Sequence, residues 1–135
     1  MAKLRMELAR LVISENSPEQ IIFLRETEGQ KRGFSIRIGV WEALAIDRKL
    51  RNTQTPRPMT HDLLENVLKN MGAKLTEIVV TQLKDDTFYA KLVLSLDGKQ
   101  VEVDARPSDA IALAIHMKSP IYVEEEVLTA ATPPD

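Results

Sequence analysis

Asp104-Ala105-Arg106-Pro107-Ser108-Asp109-Ala110-Ile111-Ala112-Leu113-Ala114-Ile115 is the stretch of this 135-residue chain that decides how its fold is read. Its first residues continue the alternating run Val101-Glu102-Val103 and therefore end a strand. Pro107 suits the first position of a helix, where the amide it lacks would have no partner anyway. The helix that follows, to about Lys118, is apolar on nearly every side, so it has to be buried. Two carboxylates, a guanidinium and a hydroxyl thus stand at the mouth of a buried helix. Ser108 and Asp109 suit the first turn, where free amides and the helix dipole favour oxygen acceptors. Asp104 and Arg106 have no such task.

Upstream of this junction, residues 73–106 read as an antiparallel meander of three strands. Phe88, Ala90, Leu92, Leu94 and Leu96 share one face, and Asp97-Gly98 supplies a tight hairpin turn. Val101 and Val103 are expected to face the core, with Glu102, Asp104 and Arg106 opposite. Before the meander, Leu63, Leu64, Val67, Leu68 and Met71 form a helical apolar stripe. Thr60 is its expected N-cap, Asp62 stands in its first turn, and Gly72 closes it. A loop from Arg51 to Met59, with Pro56 and Pro58, separates it from a helix over 40–50. Trp41, Leu44, Ala45 and Leu50 are the buried positions expected there. Strands over 4–14, 21–26 and 34–38 come first, the last with Ser35 and Arg37 turned away from its apolar face. After the buried helix, Ile121-Tyr122-Val123 reads as a short last strand and residues 124–135 as irregular. The expectation is an α+β fold: a mixed, mainly antiparallel sheet with about three helices. It forms a single domain over residues 1–128, with 129–135 a frayed tail.

Composition narrows the function. The net charge of −2 gives no overall attraction to nucleic acid or to an anionic membrane, so phosphate binding would need a local basic patch. The chain has no cysteine, which excludes disulfides, thiolate catalysis and cysteine zinc sites. Aromatic residues are 4% of the chain, leaving few platforms on which bases stack. No long apolar run is present, and Met1-Ala2-Lys3-Leu4-Arg5-Met6-Glu7 lacks a signal-peptide core, so the expected compartment is the cytoplasm.

Three constellations carry chemistry. The opening junction reads either as a capped polar scaffold, with Arg106 paired to Asp104 or Asp109, or as a metal or phosphate site; capping explains most of its groups. In Arg57-Pro58-Met59-Thr60-His61-Asp62, His61 is a candidate base, proton donor or ligand, against the plainer reading of an exposed histidine. His116, at the other end of the buried helix, reads as a cation on the helix dipole. Arg48, Lys49, Arg51 and Arg57, with Lys31 and Arg32 nearby, form a basic cluster. Taken alone, it favours a solvated helix end over phosphate binding. No Walker loop, dinucleotide fingerprint, nucleophile elbow or zinc-protease helix occurs, and Glu124-Glu125-Glu126 reads as a solvated acidic edge.

In their order and spacing, several segments resemble the bifunctional nuclease domain family. They are Phe23-Leu24-Arg25-Glu26, Ile38-Gly39 with Glu42-Ala43 and Ala45-Ile46, Arg57 through Leu63, and Phe88-Tyr89-Ala90. Asp104 through Ala114, Pro120-Ile121-Tyr122-Val123 and Glu125-Glu126-Val127-Leu128 complete the set, spanning about residues 5–128. Met59 stands where leucine belongs in that pattern. The resemblance implies a compact α+β domain, nuclease activity on DNA and RNA in some members, and a homo-oligomer. It brings no catalytic set, so the site is read from the residues. His61, Asp62 and Asp109 are the expected catalytic groups, and Arg57, Arg106 and Ser108 the expected substrate contacts. Asp104, Asp109 and Glu42 are the expected ligands of Mg²⁺ or Mn²⁺, which would activate water. The expected partners are DNA or RNA and further copies of the chain, with no membrane. This composite requires the helix starts near residues 60 and 107 to converge. The alternative is a non-catalytic oligomeric binding or regulatory domain whose polar helix-start network is structural. A small-ligand pocket at the helix start near 107 is a third reading.

Overall fold

Ile22 and Leu24, then Phe34, Ile36 and Ile38, recur at every second position and are all buried, so their strands turn one apolar face to the core. These are β2 (Glu19–Glu26) and β3 (Gly33–Gly39), paired antiparallel, with β1 (Lys3–Val12) antiparallel on the other side of β2. The expected meander is β4 (Lys74–Lys84), β5 (Thr87–Leu96) and β6 (Lys99–Ala105). Asp97 and Gly98 both take positive φ at its hairpin. β7 (Ile121–Glu124) joins the two halves, antiparallel to β1 and parallel to β4. The computed structural model describes residues 2–132, and within them these strands form one seven-stranded mixed sheet in the order β3-β2-β1-β7-β4-β5-β6.

Four helices complete the α+β fold among the described residues: α1 (Val40–Leu50), α2 (Thr60–Asn70), α3 (Pro107–Met117) and α4 (Glu125–Ala131). The buried helix of the opening stretch is α3. Ala110, Ile111, Ala112 and Leu113 are fully enclosed, as a helix apolar on all sides requires. It packs on β4 and β5 and receives α1 and α2 on its other sides. Apolar burial of this kind, at about 25 cal/mol per Å², is the main term holding the helices to the sheet.

Which way the elements face departs from expectation in α1 and β6, and α2 turns most of its apolar stripe outward. In α1, Trp41 and Leu50 are 74% and 56% exposed, while Glu42, Ala43, Ala45 and Ile46 turn inward. Toward the alanine-rich α3 the helix turns Ala43, Ala45 and Ile46, and it leaves Trp41 and Leu50 outside. In α2, Leu63, Leu64, Val67 and Met71 are exposed, and the side toward the protein carries His61, Glu65 and the half-buried Leu68. In β6, Val101 and Val103 are exposed because the strand lies at the sheet edge.

Boundaries shift as well. Residues 125–131, expected to be irregular, form α4, with Val127 and Leu128 buried. The rest of the expected tail, residues 133–135, lies outside the described residues. Arg32 holds α4 in place: its guanidinium donates to both oxygens of buried Glu26 at 2.9 and 3.1 Å and to Glu125 at 3.2 Å. The hydrogen bonds from Arg32 hold the Glu26 carboxyl below its ordinary pKa, and both acids push that of Arg32 up.

Candidate active site where two helices begin

Because α2 turns its polar side to the protein, its first turn meets the first turn of α3. His61 Nε2 lies 3.1 Å from Asp109 Oδ1. Asp109 Oδ2 accepts a hydrogen bond from Arg106 Nε at 2.8 Å, and Arg106 Nη2 lies 3.3 Å from Oε1 of Glu42 on α1. One chain of contacts thus runs Glu42–Arg106–Asp109–His61 and ties three helices together. Gly39 leaves the room that Glu42 uses, since a Cβ there would stand 2.9 Å from its Oε1. The hydrogen bond and charge of Asp109, with the charge of Glu42 behind them, raise the pKa of Arg106. The Arg106 side chain is 67% exposed, and among the described residues its Nη1 edge has no hydrogen-bond partner.

A second pair crosses the first. Asp62, next to His61, places Oδ1 3.3 Å from His116 Nε2, and its Oδ2 accepts the Met59 amide at 3.0 Å. His116 Nδ1 donates to the Ala112 carbonyl at 2.8 Å, so its Nε2 contact with the Asp62 carboxylate closes only with a proton between them. The two imidazole rings are 5.9 Å apart, tilted by 36°. Adjacent residues of α2 therefore reach two points about two turns apart on α3. In the tautomer that donates Nε2–H to the Asp109 carboxylate, the His61 ring keeps Nδ1 as an acceptor. This is how a carboxylate orients a general base.

The structure brings His61, Asp109, Arg106 and Glu42 together, with Asp62 beside them. Arg57 lies on one flank, in a cleft of about 280 Å³ shared with Asp62 and His116. Ser108 lies on the other, buried, in a groove of about 860 Å³ with Arg106 and Glu42. Capping does not account for the junction: α3 has no side-chain cap bond, and Asp109 commits its oxygens to Arg106 and His61. Likewise Met59, not Thr60, is the N-cap of α2. Asp104 stands apart, exposed on β6 opposite Lys91. The expected ligand set Asp104, Asp109 and Glu42 is therefore not assembled. Among the described residues no group of three or more potential ligands is placed to hold a metal, and Glu42 and Asp109 already share the Arg106 guanidinium. These residues do not fit a divalent cation. Sequence reasoning also missed the partner of His116, although its spacing of two turns from Asp109 puts both on one side of α3.

The family model described as Bifunctional nuclease domain matches residues 22–134, a span that includes every residue of both crossed pairs. The chain belongs to the bifunctional nuclease domain family. Among curated relatives, Uncharacterized protein Rv1829 of Mycobacterium tuberculosis is 38% identical over 131 residues, covering 97% of this chain and 76% of that protein. Bifunctional nuclease 1 of Oryza sativa subsp. japonica is 27% identical over 120 residues, 87% of this chain and 36% of that protein. Bifunctional nuclease 2 of Arabidopsis thaliana is 28% identical over 112 residues, 81% of this chain and 34% of that protein. This bifunctional nuclease domain thus spans about a third of the plant proteins it matches. No helix among its described residues is long and apolar enough to cross a membrane.

Proposed function

We propose that this chain hydrolyses phosphodiester bonds of DNA or RNA, with His61 as the base. The observation that carries the reading is the chain of contacts His61–Asp109–Arg106, an imidazole oriented by a carboxylate that a guanidinium pins in turn. Family membership and the plant relatives' printed names supply the substrate class. Nδ1 of His61 takes a proton from water as the water oxygen bonds to phosphorus. The bond from phosphorus to the leaving sugar oxygen breaks, and solvent protonates that oxygen. The open Nη1 edge of Arg106 faces the phosphate charge, with Ser108 beside it and Arg57 on the opposite flank. Asp62 acts by holding the α2 start and His116. A divalent cation has less support, since the carboxylates meant for it are paired with Arg106. No step runs through one.

Self-association through α2 belongs to the same reading. Leu63, Leu64, Val67 and Met71 carry no charge and are 57%, 38%, 43% and 64% exposed. They make an apolar patch on the order of 300–400 Å², the size of the largest patch on a typical monomer, which is often a contact surface. That is about half of what each partner contributes to a standard interface. The patch is neutral, so a second copy can face it without opposing like charges, and the two-fold pairing of α2 with itself is the arrangement it suits.

The rival reading, a non-catalytic binding domain, draws on the Glu42–Arg106 contact, which ties α1 to α3 as a scaffold would. Cleavage of single-stranded DNA and RNA by the wild type and by His61→Gln, with thermal unfolding recorded for both, separates the two. Cleavage lost at unchanged stability supports the nuclease. Equal cleavage by both proteins removes His61 from the chemistry.

A further inference from the structure

A cleft of about 280 Å³ between the end of α1, the loop over 51–59 and the start of α2 plays no part in the proton transfer above. Arg48 and Lys49 reach it from the last turn of α1 and Arg57 from the loop, while buried His116 contributes from α3. Local sequence favours reading these cations as a solvated helix end, but their surroundings differ from that reading. Arg51, in the same run, turns to Asp47 at 2.9 Å. Arg48, Lys49 and Arg57 form no ion pair among the described residues. The acid in the cleft, Asp62, already has both oxygens occupied by the Met59 amide and His116. Positive charge without local compensation therefore surrounds a space close to the lower size limit of ligand pockets.

The geometry points to this cleft as a binding site for a backbone phosphate of single-stranded nucleic acid, next to the phosphate that is cleaved. The nature of the ligand rests on the nuclease reading; the anion itself does not. His116 lines the cleft and its ring is 5.9 Å from that of His61, so a strand with one phosphate at His61 can lay a neighbouring one among Arg48, Lys49 and Arg57. No Phe, Tyr or Trp lines the cleft, so bases find no stacking platform there. Recognition then depends on the backbone, tolerates any base sequence and weakens with salt. A protein of net charge −2 thereby holds a polyanion through local charge alone.

The test uses the whole chain and two probes: inorganic phosphate, read as a shift in Tm, and a short phosphorothioate oligothymidylate that resists cleavage, read by anisotropy across a salt series. R48Q/R57Q is expected to lose the phosphate-dependent shift and to bind the oligonucleotide about tenfold more weakly at low salt. Its log–log salt slope is expected to be shallower by about 0.7 for each phosphate contact removed. Arg10→Gln removes a charge from an exposed position on β1 and is expected to leave both readings unchanged. Should R48Q/R57Q fail to fold, Arg57→Gln in the exposed loop gives the reading. Wild-type affinity and slope in R48Q/R57Q, or a loss no larger than that of Arg10→Gln, overturns the inference. Phosphate binding that the oligonucleotide does not compete with overturns the strand as ligand. Anion binding that depends on Arg48 and Arg57 in a chain that never cleaves keeps this site and removes the nuclease reading. His61-dependent cleavage with unaltered binding in R48Q/R57Q does the reverse.

Discussion

His61 Nε2 and Asp109 Oδ1 meet at 3.1 Å across 48 residues of sequence. With the reciprocal contact of Asp62 and His116 at 3.3 Å, each of the two helices lends one acid and one imidazole. Two crossed pairs fix the rotation of α2 about its own axis. That rotation directs its polar side inward and its apolar stripe to the surface.

His61 and Asp109 are expected to act as one unit in cleavage. His61→Gln and Asp109→Asn should each lower kcat/KM by about 10²–10⁴. The double variant should lose little more than either single one, because a base and the group that orients it are not additive. Losses that multiply in steady-state assays would assign the residues separate roles.

Chelation gives a second check. The acids expected to hold a metal are paired with Arg106 or stand alone on β6, so cleavage is expected to persist in excess EDTA. Activity that disappears with EDTA and returns with Mg²⁺ or Mn²⁺ would replace His61 by a metal-bound water as the source of the nucleophile.

Asp62→Asn separates support from chemistry. Both oxygens of Asp62 are engaged at the α2 start, so its loss is expected to cost about 1–2 kcal/mol of stability, the worth of a helix cap. Cleavage by the fraction that stays folded should fall by less than about tenfold. Denaturant unfolding and rate measured on the same preparation give both numbers.

Acid should loosen α4 first. The folded pKa of Glu26 is depressed by Arg32 below its ordinary 4.5, so its contribution is complete above about that pH and is lost as the pH falls through the folded value. Glu26→Gln is expected to lower Tm at pH 7 and to bring a flatter Tm profile between about pH 5 and 3. A parallel displacement of the two profiles would contradict the assignment.

Val67→Arg places a charge in the middle of the α2 stripe. Sedimentation velocity is expected to show the wild type as an oligomer and this variant as a smaller species with unaltered Tm for the folded unit. A wild type that sediments as a monomer at high concentration would leave the stripe without its proposed occupant.

Element positions can be read from this sequence because alternation and helical periodicity are local. The helix expected over 40–50 coincides with α1, and the three-strand meander is present as expected. Facing is harder to read, because a periodic stripe does not say what it meets. In α2 a histidine and an acid hold the polar side inward, so most of the apolar stripe lies outside. Asp109 resembles a cap in isolation, since the partner that gives it another task lies in a different helix. Asp104 stands two residues from Arg106 and has no capping task, which makes it a site candidate in sequence, but nothing local reveals that β6 lies at the sheet edge and leaves it exposed there.

β7 follows all the other strands in the chain, yet it lies at the centre of the sheet, between β1 and β4. During synthesis the two halves of the sheet can each pair within themselves as they emerge, but they cannot join until this four-residue strand leaves the ribosome. The hydrophobic flanks of β1 and β4 stay unpaired until then. The nascent chain is therefore most exposed to aggregation in the interval when α3 has been made and β7 has not.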